Sequence, residues 1–311
     1  MENFNQTSQK EFILLGLSDV PYIQYICFAL FLIMYLITLS GNVLLIVGVW
    51  INERLQTPMY FFLSNLSIID ICFSSTIVPR ILMNTVSTDR SISLVGCALQ
   101  MYFHMALGAA ECVILAVMAY DRFVAICRPL HYLTIINKKM CIGLASIAWS
   151  AGFGGASIHV TLTFQLPFCK SHHVNHFFCE MPPFFKLSCK DTQLNEIVMY
   201  MAAQIIILFA FFLTFISYVC IISTILKIIS TQGRDKAFST CASHLLVVSM
   251  YFGPSIFMYL KPRSAQSPEI DKVMSLVYTA VTPMLNPIIY SMRNKDVTDT
   301  IKSKLCMISN Y

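Results

Sequence analysis

The chain has 311 residues, 57% of them hydrophobic and 12% charged, with a formal net charge of +5. Its mean hydropathy is +0.68. A water-soluble domain carries about 25% charged residues, so this composition excludes one and indicates a polytopic membrane protein. The small positive charge is explained by a basic membrane rim and gives nucleic-acid binding no support.

No hydrophobic run stands behind a basic N-terminal region, so no cleavable signal peptide is expected. A membrane helix needs about 20 mainly apolar residues. Seven stretches qualify, at 23–50, 58–82, 92–120, 140–166, 197–226, 237–260 and 272–292. Five have no charged residue in their interior, and the other two carry one acid each, Asp70 and Glu111. The expected fold is an all-α membrane protein, a seven-transmembrane helix bundle. No repeat or linker divides it, so 1–311 is read as one domain: 1–22 an N-terminal segment, 23–292 the bundle, 293–311 a tail.

Basic residues set the orientation. Twelve Lys and Arg lie on one side with five acids, and nine lie on the other with nine acids. The bias places the N-terminus outside and the C-terminus in the cytoplasm. Asn5-Gln6-Thr7 agrees, because an Asn-x-Thr acceptor is glycosylated only on the lumenal side. Asn5 is therefore the expected glycosylation site. A second such tripeptide, Asn65-Leu66-Ser67, falls inside a span.

Of the twelve Cys, Cys97, Cys169, Cys179 and Cys189 fall on the oxidising outer side. Four Cys allow three pairings, and spacing alone does not choose among them. His172, His173 and His176 lie among these Cys, a pattern that can bind copper or zinc. Most of the remaining Cys fall in spans, where small buried hydrophobes are expected.

In the third stretch, His104, Glu111 and Arg122 are separated by 7 and 11 residues, which keeps them on one helical stripe with Gly108. The stripe is about 27 Å long and cannot face lipid, so it faces the bundle interior. An outer His, a central carboxylate and an inner Arg suit a device that senses outside and reports inside. A proton or ion relay is the rival, but steps of about 10 Å or more along the axis need water to bridge them. Asp70 and Glu111 are both expected near the bilayer centre. Two buried carboxylates repel, so either one is protonated or a cation sits between them.

Several blocks carry a family resemblance. Residues 118–127 read MAYDRFVAIC, in a region with no Lys or Arg from Ser91 to Tyr120. Gly41-Asn42, PMYFFL at 58–63, KAFSTCASH at 236–244 and PMLNPIIYSMRN at 283–294 accompany it. Together they resemble the olfactory receptors, a branch of the rhodopsin-like G-protein-coupled receptors. Phe123 stands where that family usually has Tyr, Gln56 where it has His, and Tyr251-Phe252 inverts its usual Phe-Tyr order.

The resemblance implies a plasma-membrane receptor that binds a small volatile odorant and activates a stimulatory, olfactory-type G protein, raising cyclic AMP. Receptor-trafficking chaperones and the lipid bilayer are its other expected partners. It implies the pairs Cys97–Cys179 and Cys169–Cys189, and an ordinary family loop around the three His rather than a metal site. It assigns Asp121 and Arg122 to the switch, Tyr218 and Tyr290 to its rearrangement, Lys236 to the edge of the G-protein cleft, and Asn286 and Pro287 to a loosened seventh helix. No cofactor is required, but a Na⁺ ion held by Asp70 and Glu111, with Asn286 nearby, is expected.

An opsin needs a Lys within the seventh span, and Val273 to Met292 has none; an amine receptor needs a carboxylate on the outer third helix, where this chain has His104. The expected ligand is neutral and largely apolar. Its expected pocket comprises His104, Met105, Gly108, Ala109 and Cys112 on the third span, with His159 on the fourth. Ala202, Ala203 and Ile206 on the fifth, Phe252, Ser255, Ile256 and Tyr259 on the sixth, and Leu276 and Thr279 on the seventh complete it. His104, Ser255 and Tyr259 are the expected polar handles. Phe252 is expected at the floor, where it lacks the family's usual hydroxyl. No HExxH, Gly-x-Ser-x-Gly or P-loop pattern supports an enzyme. A channel or transporter is favoured only by the two intramembrane acids.

Overall fold

A computed structural model describes residues 11–17, 20–260 and 268–293. Among them, seven helices are long and apolar enough to cross a membrane. They run Pro21–Ile51, Pro58–Val86, Leu94–Cys127, Lys138–Phe164, Gln193–Ile225, Thr231–Leu260, and Pro268 to Arg293 in three consecutive segments.

Local chemistry sets several helix starts. Pro58 opens the second span, where its missing N–H costs nothing. Ser93 Oγ caps the third by accepting from Gly96 N at 3.1 Å, and Asn137 Oδ1 caps the fourth through Met140 N at 3.0 Å. The third span is the most buried, with 67% of its apolar window enclosed against 22% for the first, so it forms the axis of the bundle. It also runs further than the sequence reading to residue 120: Asp121 and Arg122 lie inside the helix, which ends at Cys127.

Small residues bring the third and fourth spans together. A Cβ on Gly152 would lie 2.3 Å from the Ala106 carbonyl oxygen, so only glycine permits this approach. The first and seventh spans are joined by a repair. Pro287 has no N–H to give to the carbonyl of residue 283, four residues back. Asn42 Nδ2 donates to that Pro283 oxygen at 3.2 Å. The Asn42 amide thus meets a backbone acceptor that the proline leaves open.

One end of the bundle is closed by a lid. Strand β1 (Glu11–Leu14) lies between β2 (Ser91–Ser93), antiparallel with Phe12 opposite Ile92, and β3 (His173–Val174), parallel with Leu14 opposite Val174. Phe12 and Leu14 are fully buried, and Phe12 meets the Phe168 and Phe184 rings edge-on. Both disulfides that the resemblance implied are formed. Cys97–Cys179 ties this lid to the start of the third span, and Cys169–Cys189 closes the loop on itself.

Candidate functional site

Beneath the lid lies a cavity of about 200 Å³. Its wall includes eleven of the residues expected there: His104, Met105, Gly108, Ala109, Cys112, Ala202, Ala203, Ile206, Ser255 and Tyr259, and His159 of the fourth span. Phe252, Ile256, Leu276 and Thr279 do not line it.

The exceptions have physical causes. On the sixth span the helix turns Tyr251, not Phe252, to the cavity, and Tyr251 Oη donates to the Gly108 carbonyl. Phe252 packs edge-on against Phe211 instead. A hydroxyl therefore stands at the floor after all, supplied by the inverted neighbour. On the seventh span a π-helical turn, Val277–Val281, interrupts the α-helix. Such a turn inserts extra rotation and re-phases the faces on either side. Tyr278 lines the cavity, while Thr279 is buried and gives its hydroxyl to the Ser275 carbonyl.

The polar handles also differ. Ser255 Oγ already donates to its own helix at Tyr251 O, 2.8 Å away. His104 is 5% exposed, and neither ring nitrogen has a hydrogen-bond partner among the described residues. Its ring rests 5.2 Å from Phe73 and 4.9 Å from Phe178, centroid to centroid.

Several wall residues were not expected, and Glu180 is the acidic one among them. Glu180 is 4% exposed and borders the cavity. Tyr278 Oη and Ser275 Oγ donate to it at 3.2 and 3.5 Å. Burial raises its pKa to about 7, with the Asp271 charge adding and the Tyr278 and Ser275 bonds opposing. His176 Nε2 stands 3.6 Å from its Oε2. Burial, aided by Lys272 and His104, holds His176 at about 3, so this is a neutral imidazole beside a carboxyl rather than an ion pair. The sequence held only part of the signal for Glu180, through a disulfide pairing that the resemblance implied. Cys97 precedes His104 by seven residues, two turns on the same face, and Glu180 directly follows Cys179. The disulfide puts Glu180 within about two helical turns, roughly 10 Å, of His104, and packing brings both to one wall.

In mid-bundle, Asn286 Nδ2 donates to both Asp70 oxygens, at 3.2 and 3.0 Å. Glu111 is fully buried, and neither of its oxygens has a hydrogen-bond partner among the described residues. No group of three or more His, Cys, Asp or Glu among the described residues is placed to hold a metal, so the loop His do not converge with thiols.

At the end away from the lid, Arg122 grips Asp121 Oδ2 through Nη2 and Nε, at 2.9 and 3.2 Å. Tyr132 Oη donates to Asp121 Oδ1 at 2.8 Å. Tyr218 Oη is 2.8 Å from His244 Nδ1. Tyr290 is buried and its hydroxyl has no hydrogen-bond partner among the described residues. Asn5 and the Lys236 side chain lie outside the described residues.

A family model described as olfactory receptor matches residues 31–308. Olfactory receptor 5AP2 of Mus musculus is 49% identical over 311 residues, covering 100% of this chain and 97% of the relative. Its namesake in Homo sapiens is 47% identical over 301 residues, covering 97% and 95%. Human olfactory receptor 5G3 is 47% identical over 305 residues, covering 98% and 97%. With seven spans, a lid tied by two disulfides and this match along its length, the chain belongs to the olfactory receptor family and is a multi-pass plasma-membrane odorant receptor, not an enzyme.

Proposed function

We propose that the cavity under the lid holds a small, neutral, mostly apolar volatile ligand, and that its occupancy is reported at the Asp121–Arg122 end to a stimulatory, olfactory-type G protein that raises cyclic AMP. The observation that carries this is His104. A mostly apolar wall holds the buried His104 imidazole, whose nitrogens have no hydrogen-bond partner among the described residues, on the same helix as the Asp121–Arg122 pair. Small-molecule sites have this character, apolar with few polar groups. In this reading the lid faces outward, the N-terminus lies outside and the C-terminus in the cytoplasm.

A ligand bridging the third, fifth and sixth spans shifts the equilibrium only by its differential affinity for two arrangements. In the active one Arg122 leaves Asp121, the sixth span moves outward at that end, and Lys236 edges the cleft that opens. Tyr218 and Tyr290 rearrange there, and the seventh span yields around Asn286 and Pro287.

The test is cyclic AMP in cells co-expressing trafficking chaperones, exposed to volatile alcohols, aldehydes, ketones and esters. A saturable response lost in Arg122→Ala, with surface expression kept, is the expected result. A response that survives in Arg122→Ala removes the assigned role.

The carboxyls of Asp70 and Glu111 fit a Na⁺ ion. They are hard oxygen donors, fully buried, and Glu111 has acceptor capacity that no hydrogen bond uses. Asn286 would orient Asp70, and the ion would favour the resting arrangement. Asn5 is proposed to carry a glycan.

A further inference from the structure

The cavity wall is polar at one corner. Glu180 borders both this cavity and a second one, of about 180 Å³, toward the lid surface. Each carboxyl oxygen has two lone pairs, so the bonds from Tyr278 and Ser275 leave capacity for another partner. Across the corner stands His104, whose ring lies 6.1 Å from that of Tyr278. Its two nitrogens lack hydrogen-bond partners among the described residues. A buried polar group left unsatisfied costs about 1–3 kcal/mol, and a ligand that satisfies it recovers that cost. The Cys97–Cys179 bond holds the two residues in register from two different segments.

We propose that Glu180 is a ligand-contacting, specificity-determining residue that, with His104, grips one oxygen function of a neutral ligand, while the apolar wall takes the hydrocarbon. The proposal rests on the reading of the cavity as the odorant site.

Its chemistry follows from the protonation state. A protonated carboxyl donates its O–H to a carbonyl or hydroxyl oxygen; an ionised one only accepts, and it repels a ketone oxygen. The groups facing Glu180 are His176 from the lid loop and His104 from the third span. His173 and Lys186 of the lid, Tyr200 of the fifth span, Tyr259 of the sixth and Asp271 of the seventh share its second cavity; Tyr278 of the seventh donates to it, and Lys272 acts on His176. His176 stays neutral in the physiological range, and Lys272 Nζ bonds Asn175 at 2.8 Å. Glu180, held near 7, changes state around neutrality. Its grip on a ketone is full below that value and weakens as pH rises through it.

The test uses the full-length receptor, surface-labelled, with cyclic AMP dose–response curves for a homologous series of straight-chain methyl ketones at about pH 6 and 8. Forskolin responses at each pH correct for downstream effects. Wild type is expected to lose about tenfold in sensitivity between the two pH values, the change in the neutral fraction of a group titrating midway. Glu180→Gln keeps a donor but cannot ionise, so its curves should coincide at both pH values. Glu180→Ala should be about tenfold less sensitive at the lower pH with its maximum retained. A wild type indifferent to pH, a wild-type slope persisting in Glu180→Gln, or silence toward every ketone at verified surface expression would overturn the proposal. If Glu180→Ala fails to reach the surface, the Glu180→Gln slope decides. A cavity-filling Ala203→Trp separates the two readings. Its response should vanish; if it persists, the cavity is not the odorant site, whereas loss there with no effect at Glu180 sinks the corner alone.

Discussion

The third span meets two different environments along its length. Toward the lid, His104 faces a cavity and Glu111 faces the bundle centre, and neither has a hydrogen-bond partner among the described residues. Toward the other end, Asp121 receives Arg122 twice and Tyr132 once. The difference is instructive. A site that recognises a ligand must leave polar capacity for the ligand to use. A resting switch must satisfy its own charges, so that releasing them costs energy and an incoming partner can offset that cost.

The largest expected effect comes from breaking the packing of the lid half. In Gly152→Val the new side chain meets the Ala106 carbonyl, a backbone atom that cannot swing aside. Overpacking costs about 1–3 kcal/mol even where side chains can adjust, and more is expected here. Most of the receptor should fail to reach the surface, as counted by live-cell labelling. Surface levels equal to wild type would mean that the third and fourth spans can separate without penalty.

The midpoint of the helix comes next. If Asp70 and Glu111 hold Na⁺, adding Na⁺ at about ten times its Kd to purified receptor in choline buffer should favour the resting arrangement by about 1.4 kcal/mol, roughly tenfold in basal nucleotide exchange. Asp70→Asn should remove the effect. Exchange unaffected by Na⁺ would leave the two acids as a protonated pair.

The smallest change is at the far end. Tyr132→Phe deletes one hydrogen bond to Asp121 in a half-buried site. A loss of about 1 kcal/mol is expected, which is about fivefold in an equilibrium. Cyclic AMP without ligand should rise by a few-fold. Basal activity that stays level or falls would show that Tyr132 does not help to hold the resting pair.

Seven apolar runs, two intramembrane acids and the 118–127 block were legible because they depend on local composition and helical period. Transfer into a bilayer is a property of about 20 consecutive residues, and a stripe such as His104–Glu111–Arg122 follows from 3.6 residues per turn. Eleven of the fifteen expected pocket residues line the cavity for the same reason.

The structure alone decided what depends on contacts between distant segments. The π-turn at 277–281 brought Tyr278 to the cavity wall, where straight-helix counting had placed Leu276 and Thr279. The sixth span's rotation chose Tyr251 over Phe252. Asn42 found the Pro283 carbonyl across 241 residues, and β1 joined two loops into one sheet. Above all, Glu180 reached the pocket through a disulfide 82 residues in span. Periodicity reports which face of a helix avoids lipid; only packing determines which side chains from other segments that face will meet.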